Sequence, residues 1–309
     1  MINGVLNIYK EAGFTSHDVV AKLRGIVKQK KIGHTGTLDP AAEGVLPVCL
    51  GNATKLCDLL TGWDKTYEAV LLLGRTTDTQ DTTGETLSQR PVTAGEEQVR
   101  RVMLGFLGDS RQIPPMYSAR KVGGKRLYEL AREGLVVERE SRPIRIEELT
   151  VLNMDLPRVR FRVTCSKGTY IRTLCHDIGE RLGCGGCMEQ LLRTRVGCFS
   201  LEESRRLWEV EKLAEEQRLE EVLTPADGLF PHCERMVLKE RGDKPVYNGN
   251  PLREEWVKEH EWGRKPAKES DSWVLVYDSR GHFVGIYRRA PEKGLYKPVK
   301  MFLERDAQG

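Results

Sequence analysis

The 309-residue chain carries 49 Lys and Arg against 45 Asp and Glu, with 39% hydrophobic and 30% charged residues. That length holds one large catalytic domain plus a small appended one, and no apolar run approaches the ~18 residues of a membrane span, so a membrane-spanning chain is excluded. The opening Met1-Ile2-Asn3-Gly4-Val5-Leu6 lacks the basic stretch, apolar stretch and cleavage site of a secretory signal, so a cytoplasmic protein with its eight cysteines as thiols is expected. A strand is predicted over Val5 to Tyr9, then a turn at Gly13 and a helix opened by the capping segment Thr15-Ser16-His17-Asp18 and carried by Val19, Val20, Leu23, Ile26 and Val27 to about Lys28. The glycine-bearing segment Gly33 to Pro40 reads as a loop, Tyr67 to Leu73 as a strand, Arg75 to Gly84 as a loop and Glu96 to Leu107 as an amphipathic helix. Arg158 to Cys165 alternates as a half-exposed strand, and Ile171, Leu174, Ile178 and Leu182 mark a helix closed by Gly183. A charged helical stretch is expected from Glu202 to Leu223. Thr224-Pro225 breaks it, and beyond Phe230 the pattern becomes short strands and turns, including a hairpin of Trp273 to Tyr277 and Phe283 to Tyr287. The predicted class is α/β in the mixed α+β sense, with a domain boundary near Phe230.

The net charge of +4 neither demands nor excludes a nucleic-acid partner, but its distribution is uneven. Val20 to Lys31 holds five basic residues and no acid; Arg111 to Arg132 holds six basic residues and only Glu129. Cys184-Gly185-Gly186-Cys187 invites a metal reading, yet no second closely spaced pair accompanies it, and it follows a helix C-terminus, the wrong end of the dipole for an activated thiolate. The phosphate-cradling glycine motifs of nucleotide cofactors are missing, and Asp78-Thr79-Gln80-Asp81 lacks the glycine and distal glutamate of a calcium loop, so it reads as a solvated turn. Neither metal nor cofactor is expected. Two clusters stand out: Asp39, an acid before Pro40 amid hydroxyls and small residues, and Ser166 to Thr173, which puts an aromatic and an arginine two residues apart at a strand-to-helix junction.

These clusters carry a resemblance. Gly33-His34-Thr35-Gly36-Thr37-Leu38-Asp39-Pro40, Gly51-Asn52-Ala53-Thr54-Lys55, Asp64-Lys65-Thr66-Tyr67, Pro115-Met116-Tyr117-Ser118-Ala119-Arg120-Lys121 and Cys165 to Thr173 resemble, in order and across about residues 4 to 200, the TruB-type bacterial tRNA pseudouridine synthases. One departure is Lys10-Glu11 where the family usually has Lys-Pro, which bears on local loop rigidity. The resemblance implies a pseudouridine synthase core with a mixed, mainly antiparallel sheet flanked by helices over 1–228, a basic RNA-clasping insertion at about 111–142, and a small PUA-like RNA-binding β-barrel over 229–309. Around the hairpin candidate in that tail lie the basic residues Arg288, Arg289, Lys293, Lys297 and Lys300.

The same resemblance implies isomerisation of uridine 55 in the T-arm loop of tRNA, with the uridine flipped out of its stack. Asp39 is then the nucleophile, Arg172 its guanidinium partner, Tyr67 the ring that stacks on the base, and Tyr170 a contact to the sugar or base that assists proton transfer. His34 fills the vacated stack, Leu191 is an apolar wall, and Lys55, Arg120 and Lys121 are RNA contacts. The expected partner is the tRNA T arm, engaged by a monomer that needs no protein partner. A guide-RNA-dependent synthase of the dyskerin type shares such a core but normally carries an N-terminal extension, whereas here the motifs begin almost at Met1. A non-catalytic tRNA-folding chaperone is the other alternative, disfavoured by an intact Asp39, Tyr67 and Arg172.

Overall fold

A computed structural model of the chain describes residues 1–261, 273–290 and 294–303; Lys293 lies outside the described residues. Two sheets organise them. The larger has ten strands, with the order 223–224, 4–10, 43–50, 186–196, 65–73, 158–165, 142–155, 108–112 along its main path. All its pairings are antiparallel except where Gly186–Val196 meets Glu43–Leu50 through Leu192–Glu43 and Arg193–Gly44. That parallel seam joins the two halves of the sheet. Gly44 sits there at φ +106°, and a side chain on it would come within 2.2 Å of the Arg193 carbonyl oxygen, so only glycine allows the strands to meet.

Helices cover the sheet where their apolar stripes dictate. Ser16–Ile26 starts as predicted, with Thr15 and Asp18 forming a reciprocal capping box. It buries Val19, Val20 and Leu23 against Leu6, Ile8, Leu46 and Val48, together with Val210 of the helix Leu207–Glu215. The helices Glu96–Leu104 and Ile171–Arg181 pack Val99, Met103, Leu174 and Ile178 against Leu71, Phe161 and Val163. Arg158–Cys165 alternates exposed and buried as far as Val163, Thr164 being buried against the Thr66 hydroxyl at 3.1 Å, and its outward arginines ion-pair across the sheet: Arg158 with Glu189, Arg160 and Arg162 with Glu68. Among the described residues no helix is long and apolar enough to cross a membrane.

Several expectations need correction. Ile32–His34 is a short strand paired with Val48 to Leu50, so the loop begins after His34. Glu43–Leu50, Gly108–Gln112, Arg142–Asp155 and Gly186–Val196 are strands that the pattern reading did not find. Glu43–Leu50 is buried on both faces and contains Pro47, so no alternation betrays it. Arg142–Asp155 is mostly exposed and bulged, so its alternation is broken. The helix expected to Leu107 ends at Leu104, and the single helix over Glu202 to Leu223 resolves into the helix Leu207–Glu215, a 3-10 turn at Leu219–Val222 and the strand Leu223–Thr224 on Val5 and Leu6.

The smaller sheet has six strands, ordered 252–253, 295–301, 283–290, 273–277, 234–238, 257–261, and its curled form is that of a PUA-like unit. The predicted hairpin is present, its turn held by Asp278, which accepts from the backbone N–H groups of Arg280 and His282 at 2.9 Å each. The two sheets share one apolar core, in which Phe230 stands edge-on to both Trp63 (6.2 Å between centroids) and Trp273 (5.6 Å). Gly197, at φ +54°, leaves room for the Trp63 ring, which a side chain there would meet at 2.1 Å. Polar ties flank this core: Asn52 and Lys55 donate to the carbonyls of Phe302 and Met301, and Lys300 pairs with Asp58. Phe230→Ala empties the centre of the joint and is expected to lower the unfolding free energy by about 3–5 kcal/mol, measured by urea unfolding followed through tryptophan fluorescence; a loss under 1 kcal/mol would show that the joint carries little of the stability.

Candidate active site

The parallel seam of the large sheet faces a cavity of about 450 Å3 lined by Asp39, Tyr67, Arg120, Tyr170, Arg172 and Leu191, and also by Lys65, Gln112, Arg142, Lys167 and Arg193. Six of the nine residues expected at a site therefore converge. Tyr67 comes from the strand Lys65–Leu73 and Leu191 from its neighbour Gly186–Val196, while Tyr170 and Arg172 stand at the start of the helix Ile171–Arg181. The other three lie outside the lining. His34 is half-buried beside it, meets His17 edge to face at 5.5 Å and accepts from the Gly36 N–H at 3.3 Å. Lys121 is exposed on the insertion. Lys55 gives its ammonium to the Met301 carbonyl at 2.6 Å, on the joint with the smaller sheet.

Asp39 sits in a turn closed by the Ala42 N–H on its carbonyl, and its loop is anchored on both sides. The Leu38 N–H donates to Ser16 Oγ at 3.0 Å, and the Pro40 carbonyl accepts from the Gly13 N–H at 2.9 Å and from Lys10 Nζ at 3.1 Å. Lys10 is wholly buried and also donates to the carbonyls of Phe14 at 2.7 Å and Glu11 at 3.1 Å. The Lys-Glu departure does not slacken this loop, because Lys10 binds it internally and the Glu11 carboxylate pairs with Arg206. Burial pushes the Lys10 ammonium down to about 8, against the opposing pull of Glu43 and Asp39.

The Arg172 guanidinium grips the Asp39 carboxylate with two prongs, Nε to Oδ2 at 2.9 Å and Nη2 to Oδ1 at 3.2 Å. Its remaining donors reach the Thr79 carbonyl (Nη1, 2.8 Å) and the Tyr117 carbonyl (Nη2, 2.8 Å), with Asp81 Oδ2 at 3.8 Å from Nη1. Arg172 is 5% exposed and Asp39 38%, so the arginine is structural foundation while the carboxylate keeps an open face towards the cavity. The segment 78–81, read from sequence as a solvated turn, instead braces this arginine. Thr79 supplies a carbonyl, and Gln80, at φ +64°, accepts from the Thr173 hydroxyl at 2.7 Å.

Sequence reasoning missed Arg193 and Lys65. Arg193 is 1% exposed, lies opposite Tyr67 in the ladder, and donates to the carbonyls of Val45 (2.7 Å) and Gly36 (3.2 Å). Burial raises the Tyr67 pKa above its ordinary value, with the Arg193 charge opposing, and burial lowers that of Arg193. Lys65 donates to the carbonyls of Thr61 (2.8 Å) and Trp63 (2.5 Å) and is pushed down to about 8 by burial. The alternation of Leu191 with Arg193 was the available signal, and it needed the unrecognised strand to be legible. A carboxylate fixed by a buried fork, facing a cavity between two tyrosines, is equipped for nucleophilic attack on a planar ring held against the aromatic wall.

Residues 24–171 match the TruB family pseudouridylate synthase N-terminal domain, and residues 172–230 match the tRNA pseudouridylate synthase B C-terminal domain. The tRNA pseudouridine synthase B of Lachnoclostridium phytofermentans is 54% identical over 310 residues, spanning 98% of this chain and 100% of that one. The protein of the same name from Bacillus subtilis is 42% identical over 317 residues, spanning both chains fully. Among solved structures, a Cbf5-Nop10-Gar1 complex has a chain similar at a TM-score of 0.74 and 27% identity, covering 98% of this chain and 86% of its own. An H/ACA RNP bound to a substrate RNA containing 2'-deoxyuridine has one at 0.72 and 26%, with the same coverage.

Lys10 carries a pH signature. Between about pH 8 and its ordinary 10.5 the buried amine is neutral while the same group in the unfolded chain is still protonated. The unfolded state then binds the extra proton, so raising the pH through this window favours the fold. Comparison with Lys10→Met isolates the effect: the wild type is expected to gain stability over the variant from pH 8 to 10, by no more than about 1.4 kcal/mol per unit, read from urea midpoints. Parallel midpoints for the two proteins across that range would refute it.

Proposed function

Because this chain belongs to the TruB family of pseudouridylate synthases, we propose that it isomerises uridine 55 in the T-arm loop of tRNA to pseudouridine, with Asp39 as the nucleophile. The single observation that carries this reading is the Asp39 carboxylate, forked by buried Arg172 at the floor of a cavity walled by Tyr67, Tyr170 and Leu191. Pseudouridine formation breaks the N1–C1′ bond, turns the uracil, rejoins it through C5 and moves the C5 proton. Overall it is redox-neutral. Asp39 attacks the bound nucleotide, and the Arg172 fork holds its carboxylate aimed. Tyr67 stacks on the base so that the detached uracil keeps its plane, Leu191 closes the apolar side and Tyr170 meets the sugar or base edge and assists the proton transfer. The uridine enters flipped from its stack, and His34 takes its vacated place.

The remaining assignments follow the same logic. Arg120 and Lys121, on the basic insertion at about 111–142, contact the RNA backbone over the cavity. Lys55, exposed where its ammonium meets the Met301 carbonyl, is a further RNA contact at the joint with the smaller sheet. Residues 229–309 extend the footprint along the tRNA in the cytoplasm, as a monomer. A guide-RNA-dependent reading is tested by the same assay that tests this one: tritium release from C5-labelled tRNA transcript with no guide RNA and no protein partner. The wild type is expected to release one tritium per tRNA, and a transcript with cytidine at position 55 none.

Asp39→Asn keeps the volume and loses the nucleophile, so tritium release is expected to fall about a thousandfold or more while tRNA affinity stays within about threefold. Turnover near the wild-type rate would remove Asp39 from the chemistry. On the smaller sheet, exposed Arg288 and Lys297 face each other across neighbouring strands. The double change Arg288→Ser with Lys297→Ser is expected to weaken tRNA binding and to flatten its dependence on log salt by about 0.7–0.9 per lost phosphate contact. An unaltered slope would place the RNA elsewhere.

A further inference from the structure

Gln112 ends the strand Gly108–Gln112 at the root of the basic insertion, and its side chain is 4% exposed. Its amide meets the backbone of Tyr170 twice: the Tyr170 N–H donates to Oε1 at 2.8 Å and Nε2 donates to the Tyr170 carbonyl at 3.0 Å. Tyr170 is extended (φ −97°, ψ 111°), immediately ahead of the helix Ile171–Arg181, where a helix start leaves N–H groups without intrahelical partners. The glutamine amide thus pairs both backbone groups of Tyr170 as a neighbouring strand would, the carbonyl also accepting the first intrahelical bond from the Leu174 N–H at 3.0 Å. Asparagine is too short for this double contact and an ionised glutamate lacks the donor. Five residues further on, the Tyr117 carbonyl accepts from Arg172 Nη2 at 2.8 Å. Between the two ties run Pro114 and Pro115, both buried, with Pro114 lining the cavity. The root of the insertion is therefore strapped to the Tyr170–Arg172 segment at both ends.

We propose that Gln112 is a positioning residue for the reaction, fixing through its two hydrogen bonds to the Tyr170 backbone both the Tyr170 side chain and, two residues on, the Arg172 fork that aims Asp39. This rests on the reading of the cavity as a pseudouridine synthase site. Gln112 borders the cavity, but its amide oxygen and nitrogen are both engaged by the Tyr170 backbone, so its loss acts on orientation, where a displacement of about 1 Å costs on the order of a hundredfold in rate. Binding energy drawn from distant phosphates is untouched. The insertion and the nucleophile then share one mechanical frame, and RNA that seats the insertion also seats the fork.

The test uses the full-length protein with C5-tritiated tRNA transcript, comparing Gln112→Glu and Gln112→Met with the wild type from pH 5.5 to 8.5. Single-turnover rate and tRNA dissociation constant are measured separately. At pH 8 both variants are expected to lose about tenfold or more in rate, with tRNA affinity within about threefold. As the pH falls, the buried carboxyl introduced by Gln112→Glu takes up a proton and can again donate to the Tyr170 carbonyl, so its rate climbs back towards the wild type, while Gln112→Met stays low throughout. Gln112→Asn replaces Gln112→Met if the latter melts below the assay temperature, with the same flat loss expected. Rates within twofold of wild type, a loss confined to the dissociation constant, or a pH-independent ratio of Gln112→Glu to wild type each overturn the inference. An active wild type beside unaffected variants overturns it alone; a wild type that releases no tritium overturns the functional reading and this inference together.

Discussion

One guanidinium holds the site together. Arg172 is buried at the start of a helix and reaches three segments far apart in sequence: the Asp39 loop, the Thr79 to Asp81 turn and the Tyr117 end of the insertion root. A buried cation is tolerable only when its donors are matched, and those of Arg172 find the Asp39 carboxylate and the Thr79 and Tyr117 carbonyls in hydrogen-bonding range. The three segments are therefore fixed relative to one another by a single requirement, that this charge not be left bare. The carboxylate is the one partner with an open face.

Around that centre the fold places three further buried cations, and none of them hydrogen-bonds a carboxylate among the described residues. Lys10 holds three carbonyls, Lys65 two and Arg193 two. Carbonyl oxygens are weak counter-charges, which is why burial drags both lysines down to about 8. The gain is geometric. Each ammonium or guanidinium converges several backbone carbonyls on one point and so stiffens loops that would otherwise carry unsatisfied polar groups. It also leaves the cavity wall electropositive, which favours an anionic polymer over a neutral ligand.

The smaller sheet is joined to this frame by an apolar contact with a polar rim. Trp63 stands four residues before Tyr67, at the entrance to the strand that supplies that wall of the cavity, and it packs on Phe230 and Phe199. Asn52, Lys55 and Asp58 border the contact on one side. Lysines that composition would count as free surface charge, Lys55 and Lys300, are thus engaged in the joint, while Arg288, Arg289 and Lys297 remain exposed on the neighbouring strands.

Local chemistry made much of this legible in the sequence. The capping box at Thr15, the alternation of Arg158 to Val163, the glycine after Leu182 and the turn at Asp278 each depend on residues a few positions apart, and each forms where it was read. Asp39 and Arg172 could be singled out because an acid before proline and an arginine at a strand-to-helix junction are unusual, and the family resemblance then paired them. What the sequence could not disclose was burial on both faces. Glu43–Leu50 is buried on both faces, so its alternation vanishes, and its seam partner Gly186–Val196 is broken by two register shifts; with that strand went Arg193. Nor could it tell that Asp78 to Asp81 turns inward, that Lys10 is wholly buried, or that the Gln112 amide finds a backbone 58 residues away. Periodicity records which residues face solvent along one segment. Which segments then stack, and so which polar groups must find partners away from water, is decided only when the chain closes on itself.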